Sequence, residues 1–480
     1  MQHSDLPPRE TVGLGFIWVT VIGQTVPGKN GSRQNGSPLV ESTTLTPPAI
    51  VRTFRGEIQI RMNTTAKLEQ ELVAITRRHF IKLGALGAAA AGMGPLQVRA
   101  ATNNSPGAES VENLEYLTRE ENFVNVGRGD PPPHELSKEK RRAVGLARET
   151  WRLEVIPDPD SDAQVERPLS KEQGNALTWE QLMTLAEKRA VRFLHVISCT
   201  NMPKPLGMGL WEGVPLREVI WLTQPKTNIR RVYYYGYHND DSKQRFQSSL
   251  PVGRVLEEPL GELPIILGYK LNGQWLTPKR GGPVRMIVPG AYGNKSVKWI
   301  QRVVLTNNPR QNDTYGDWNN DTESHLKTCA SFRSVPEKVK VGQAVPVVGV
   351  AQVGMSGLSR VQYWVTSQEA ALPANDPHFA RADWRDAEIL PAPAHWGGGL
   401  PDGKLPAVPL QFDANTGRPR EWPMRDTITY WTAQLGALPP GKYDLRCRTI
   451  DANGVAQPMP RPFPKSGYNA IQKVSLTVEN

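Results

Sequence analysis

From about Val335 to the C-terminus the sequence falls into short alternating runs, at 345–350, 360–366, 427–433, 442–449 and 472–478. Turn sequences such as Pro439-Pro440-Gly441 and Asp451-Ala452-Asn453-Gly454 separate them, and no long helical period interrupts them. A run that alternates at two residues buries one face of a strand and wets the other. Strands of this kind need a second apolar layer, which an antiparallel sandwich supplies. The 42 Gly and 42 Pro among 480 residues fit a β-rich chain with many turns and stay below the level of a low-complexity chain.

Upstream the texture is mixed. The pattern predicts a helix over 136–148, a strand over 151–155 and a helix over 179–189, with Thr178 as its N-cap. An apolar run rich in β-formers follows, from Val191 to Cys199, and reads as a buried strand ending at the cysteine. Further strand-like runs lie at 231–235, 265–269, 284–288 and 297–305. The expected organisation is therefore an N-terminal extension over 1–100, a mixed α+β domain over 101–330 and an all-β sandwich of immunoglobulin type over 331–480.

Within the extension, Thr76-Arg77-Arg78-His79-Phe80-Ile81-Lys82 precedes an uncharged run rich in Ala and Gly and then Val98-Arg99-Ala100. A basic start, a short apolar core and small residues at the end form the plan of an export signal. Segment 76–100 resembles a twin-arginine signal, which implies export of a folded protein to the periplasm or beyond. Its core is too short and too weakly apolar to anchor the chain in a membrane. Met62 would give this signal an n-region of ordinary length, so translation is expected to start there.

The net charge of +10 is unevenly placed, and the residues after position 100 carry only +5. Without clustered basic stripes this is no nucleic-acid footprint. Three cysteines make no disulfide framework, and the absence of CxxC and CxxCH leaves no zinc, iron–sulfur or haem site. P-loop, GxSxG and GxGxxG patterns are also missing, and no flavin is expected.

Cys199 carries the chemical argument. It stands at a strand end where the chain turns out of the sheet through Thr200-Asn201-Met202-Pro203, a place where a scaffold presents reactive groups. Alone, a cysteine on an apolar strand is simply a small core residue. Two further blocks add to it. One is Gly209-Leu210-Trp211-Glu212-Gly213-Val214-Pro215-Leu216-Arg217. The other is Pro283-Val284-Arg285, followed by Pro289-Gly290-Ala291-Tyr292-Gly293-Asn294-Lys295-Ser296-Val297-Lys298-Trp299. A glycine-flanked loop with Arg285, Lys295 and Lys298 around it suits a phosphate-like anion, although a tight hairpin with solvated lysines gives the same pattern.

Taken together, these blocks resemble the sulfite oxidase family of molybdenum-pterin oxidoreductases, in order, from roughly Leu117 to the C-terminus. The segment from Leu445 to Pro458 likewise resembles that family's immunoglobulin-like dimerisation domain. The resemblance implies a molybdopterin cofactor with Cys199 as the protein thiolate on molybdenum. It implies that Arg285, Ser296, Val297 and Lys298 hold the pterin and its phosphate. Arg280 falls where the family often has His, and His238, with Asp240 close by, where it often has a pterin-contacting Asp. Tyr315 is the counterpart of an active-site Tyr.

Departures bear on the substrate. Where the family's sulfite oxidases continue with Ala-Gly-Asn-Arg-Arg, Cys199 is followed by Thr200-Asn201-Met202-Pro203-Lys204. Lys204 keeps a positive charge without the guanidinium fork. The upstream anion-binding Arg is replaced by Asn125, with Arg128 the nearest substitute. Cofactor binding is thus implied while sulfite itself is not.

The expected activity is oxygen-atom transfer to or from a small substrate, a sulfur oxyanion or oxide, with two electrons passed to an external acceptor such as a cytochrome c, in a homodimer. An oxide reductase such as a sulfoxide reductase is the alternative on the same fold. A secreted binding protein that kept the fold without the metal is the alternative of another class. Cys329 and Cys447 read as core or partly buried thiols, for which export would permit a disulfide.

Overall fold

The apolar run before Cys199 forms the strand Val191–Ile197, which stops two residues short of the cysteine. Phe193 and Ile197 pack with Trp211, Ile266 and Ile287 on one face. Leu194 and Val196 pack with Met208, Leu210, Trp396 and Tyr430 on the other. A strand covered on both faces has no polar side to show, so it reads as continuous rather than alternating.

These positions come from a computed structural model that describes residues 111–241, 244–259, 261–314, 321–458, 467 and 470–480, all within the compact unit Asn103–Asn480. The signal-like segment 76–100, Met62 and Tyr315 lie outside the described residues.

Two five-stranded sheets build the first part. One runs in the order Leu177–Thr178, Arg152–Pro157, Ile300–Thr306, Arg231–Gly236, Phe246–Pro251. The other pairs Val191–Ile197 with Gly207–Pro215 and then Ile266–Leu271, whose neighbours are Gln274–Trp275 and Arg285–Ile287. One apolar core joins them: Leu153, Val232, Tyr234 and Val303 of the first sheet meet Val214, Leu267 and Met286 of the second, with Leu182, Val219 and Val255 from three short helices.

The remaining strands form an eight-stranded sheet in the order Cys329–Ser334, Val345–Val353, Thr427–Leu435, Arg385–Ile389, Arg360–Ser367, Gly441–Ile450, Gln472–Glu479, Lys338–Lys340. It closes over its own core, in which Phe332, Val347 and Trp431 from one half meet Val361, Leu445 and Leu476 from the other. The five predicted strands are all present, each longer by one to three residues. Cys329 is a partly buried thiol and Cys447 a fully buried one.

Two differences from the sequence reading have physical causes. The helix predicted over 136–148 is only Lys138–Ala143, because Gly145 turns the chain with φ +75°. The strand Gly207–Pro215 was not predicted, since three glycines and a proline in nine residues argue against β structure. It forms because strands pair with it on both sides.

Helix Trp179–Arg189 starts as its sequence predicts. The Thr178 hydroxyl accepts the Gln181 N–H at 3.2 Å, and the Gln181 side chain accepts the Thr178 N–H at 2.8 Å. Thr178→Ala should lower unfolding free energy by about 1 kcal/mol in denaturant titration. A loss within error would mean that packing of Leu182 alone sets the helix start.

Candidate functional site

Cys199 lies in the wall of a cleft with about 900 Å³ of empty space, open to solvent. Its position is fixed by the loop after Arg285–Ile287. The Gly293 N–H donates to Ser198 O at 2.7 Å, and a Cβ on Gly293 would sit 3.0 Å from Ile197 Cγ2 and 3.1 Å from Ser198 O. Glycine is therefore what lets the loop close on the strand end.

Of the residues singled out in the sequence, Arg128, Cys199, His238, Arg280, Arg285, Ser296, Val297 and Lys298 all line this cleft. Asp240 does not. It is exposed, takes a hydrogen bond from Lys140 Nζ at 2.8 Å, and borders a neighbouring hollow. Lys204 is exposed and is not among the lining residues, which include Thr200 and Asn201 instead. Lys295 is fully buried away from the cleft, with Nζ donating to Asp313 at 2.6 Å, Ser249 O at 2.8 Å and Thr322 O at 2.5 Å. The sequence pattern that grouped it with Lys298 could not show that an acidic partner waited at position 313.

The cationic wall is built as follows. Arg285 opens its strand, 5% exposed, and donates from Nη1 to Arg280 O at 3.0 Å and from Nη2 to Ser296 O at 2.8 Å, leaving Nε without a partner. Burial, then the Arg280 charge, pushes it down to about 9. Arg280 ends the turn Pro278–Arg280, 3% exposed, with Nη2 unbonded and Nε facing the Glu120 carboxylate at 3.4 Å. The Ser296 hydroxyl accepts the Val288 N–H at 3.0 Å, which leaves its own proton free to donate.

Lys298 Nζ donates to Asn125 Oδ1 at 2.9 Å, Val126 O at 2.7 Å and Lys279 O at 3.0 Å. It thus fastens the segment over 125–126 to the cleft edge. Burial and the charges of Arg285, Arg280 and Lys279 push it down to about 6. The next residue, Trp299, holds the left-handed region at φ +54°, and Gly236 accepts the chain so closely that a Cβ there would lie 2.1 Å from Lys298 O. His238 contacts the Trp299 ring edge-on at 5.6 Å; burial pushes it down to about 4, so it is neutral at pH 7.

Buried guanidinium N–H groups without acceptors are costly, and the Arg280 and Arg285 cations facing one cleft repel each other and the charged form of Lys298. A phosphate-bearing group would supply what they lack, and its acceptor oxygens match their unused donors. Among the described residues no group of three or more His, Cys, Asp or Glu could hold a metal ion, and Cys199 on the cleft wall is the thiol that would meet a metal carried by a cofactor. The residues present fit a molybdenum pterin.

Residues 142–314 match the family model of the oxidoreductase molybdopterin binding domain. The chain carries an oxidoreductase molybdopterin binding domain over these residues, as the resemblance to the sulfite oxidase family implies. The matched span contains Cys199, Arg280, Arg285 and Lys298. Among curated relatives, a nitrate reductase [NADPH] of Beauveria bassiana is 33% identical over 107 residues, which is 22% of this chain and 12% of that protein. A nitrate reductase [NADH] 1 of Arabidopsis thaliana is 34% identical over 117 residues, again 22% and 12%. The matches thus span about an eighth of these relatives' length. Of solved structures, the sulfane dehydrogenase SoxCD from Paracoccus pantotrophus superposes with a TM-score of 0.47 at 16% identity, over 82% of this chain and 97% of that one.

Sequence reasoning missed Glu120, which lies 3.4 Å from Arg280. It also missed Phe123, whose ring lies 5.5 Å below the Arg280 guanidinium. Glu120 belongs to no motif and Phe123 to the segment around Asn125 compared with the family's upstream motif, and only the folded chain brings them to Arg280.

Two outcomes follow. Asp313→Ala strands a buried ammonium and should cost about 3–5 kcal/mol in thermal or chemical unfolding; a cost below 1 kcal/mol would show the Lys295 pair to be dispensable. Lys298 is held below its ordinary 10.5, so between about pH 6 and that value the unfolded chain binds more protons than the folded one. Stability of the cofactor-free chain should therefore rise with pH across this window, and Lys298→Met should flatten the rise. Parallel pH profiles for the two proteins would contradict the assignment.

Proposed function

We propose that this chain is an exported, sulfite dehydrogenase-like member of the family that transfers an oxygen atom to or from a small sulfur oxyanion or oxide. The observation that carries the reading is Cys199 on the wall of a cleft whose buried Arg280 and Arg285 have unbonded N–H groups. When bound, a molybdenum pterin supplies oxygen-atom transfer coupled to a two-electron change. Arg280, Arg285, Ser296 and Lys298 bind and orient its phosphate, and Cys199 fixes the metal. Arg128 and the neutral donors of Thr200 and Asn201 remain to meet substrate, which favours a substrate of lower charge than sulfite. Tyr315 is retained as a candidate for the substrate side.

Electrons pass to an external acceptor such as a cytochrome c. The C-terminal strands act as an immunoglobulin-like dimerisation domain, and the segment at 76–100 directs twin-arginine export. A second reading, a reductase of a small oxide, is favoured by the nitrate reductases among the relatives.

Molybdenum content per exported chain tests the proposal, with Cys199→Ser alongside. Near-stoichiometric metal in the wild type, with an altered metal spectrum or lost metal in the variant, is expected. Absence of metal from a host that makes the cofactor would demote Cys199 to a core residue and favour a binding protein. Steady-state assays with sulfite, sulfoxides and nitrate then separate the oxidative from the reductive reading.

A further inference from the structure

Arg280 stands between two spaces. On one side is the cleft; on the other is an outer hollow of about 840 Å³ bordered by Glu120, Thr277 and Trp275. The guanidinium lies over the Phe123 ring and reaches Val124 O from Nη1 at 3.4 Å. From the hollow, Glu120 Oε1 approaches its Nε to 3.4 Å. That same oxygen accepts the Thr277 hydroxyl at 2.9 Å, and Thr277 caps the turn on which Arg280 sits. Glu120 is thus braced by the element that carries its partner.

The charged neighbours acting on Arg285 and Lys298 are Arg280, Arg285 and Lys279, all cations. Glu120 is the carboxylate that acts on Arg280. It does so from behind, on the side away from the space where an anion would bind. Its side chain is 43% exposed, so water and salt reach it.

We propose that Glu120 holds Arg280 in its cleft-facing pose and, through its own charge, limits how tightly the cleft binds a phosphate-like anion. The inference rests on the anion-site reading of the cleft given above. Glu120 is a positioning residue, because it touches Arg280 and not the anion. One charge behind one side chain changes the affinity for an anion by about three- to tenfold at low ionic strength, and less when salt screens it. The sign distinguishes this role from a structural one: a neutral, isosteric replacement should strengthen binding.

The test uses the full chain prepared without molybdopterin, with inorganic phosphate as the probe and calorimetry at low and high salt. Wild type should bind phosphate, and Arg285→Met should weaken binding at least about tenfold. Glu120→Gln keeps an oxygen for Thr277 and Arg280, and should bind about three- to tenfold tighter, with the gain shrinking at high salt. Glu120→Ala, which loses the brace as well, should bind more weakly than Glu120→Gln. Glu120→Asp should stay near wild type.

If Glu120→Gln binds no tighter than wild type while Arg285→Met loses binding, the proposal fails and the anion site stands. Equal binding by the Ala and Gln variants would remove the positioning role. A wild-type chain that does not bind phosphate, or an Arg285→Met chain that binds it as wild type does, would overturn the anion-site reading and this inference with it.

Discussion

Like charges brought together out of water repel, and the structure around Arg280, Arg285 and Lys298 is arranged to bear that repulsion. Each cation is tied to backbone oxygens: Arg285 to Arg280 O and Ser296 O, Arg280 to Val124 O, and Lys298 to Val126 O and Lys279 O. Carbonyl groups hold the cations in place without cancelling their charge. The cleft therefore stays electropositive and presents unused donors, a cost carried by the apolar cores beneath it. Glu120, partly exposed and behind Arg280, is the one carboxylate in contact with this group among the described residues.

Much of this was legible in the sequence, for reasons that differ by residue. The strand Val191–Ile197 was readable because burial on both faces leaves a mostly apolar run, broken only by Arg192 and His195. The helix start at Thr178 was readable because a capping box is local in sequence. Arg285, Ser296 and Lys298 were readable because a glycine-rich loop between two strands keeps its chemistry close together in the chain.

What escaped is non-local. Nothing near Lys295 announces that Asp313 will bury it, and nothing near Asp240 announces that Lys140 will draw it outward. Lys204, chosen for its charge, lies on the exposed turn after Cys199, while Thr200 and Asn201 take the cleft wall. Gly207–Pro215 becomes a strand against its own propensity because partners on both sides complete its ladder. For Lys295, Asp240 and Gly207–Pro215 a contact distant in the sequence outweighs a local preference.

The strand that delivers Cys199 is gripped on both faces, and one of those grips comes from Trp396 and Tyr430, some two hundred residues further along. A thiol two residues beyond such a strand is referenced to the frame of the molecule as well as to the loop whose Gly293 N–H closes on Ser198 O. The late aromatic residues of the chain thus contribute to the stiffness of a sulfur that they never touch.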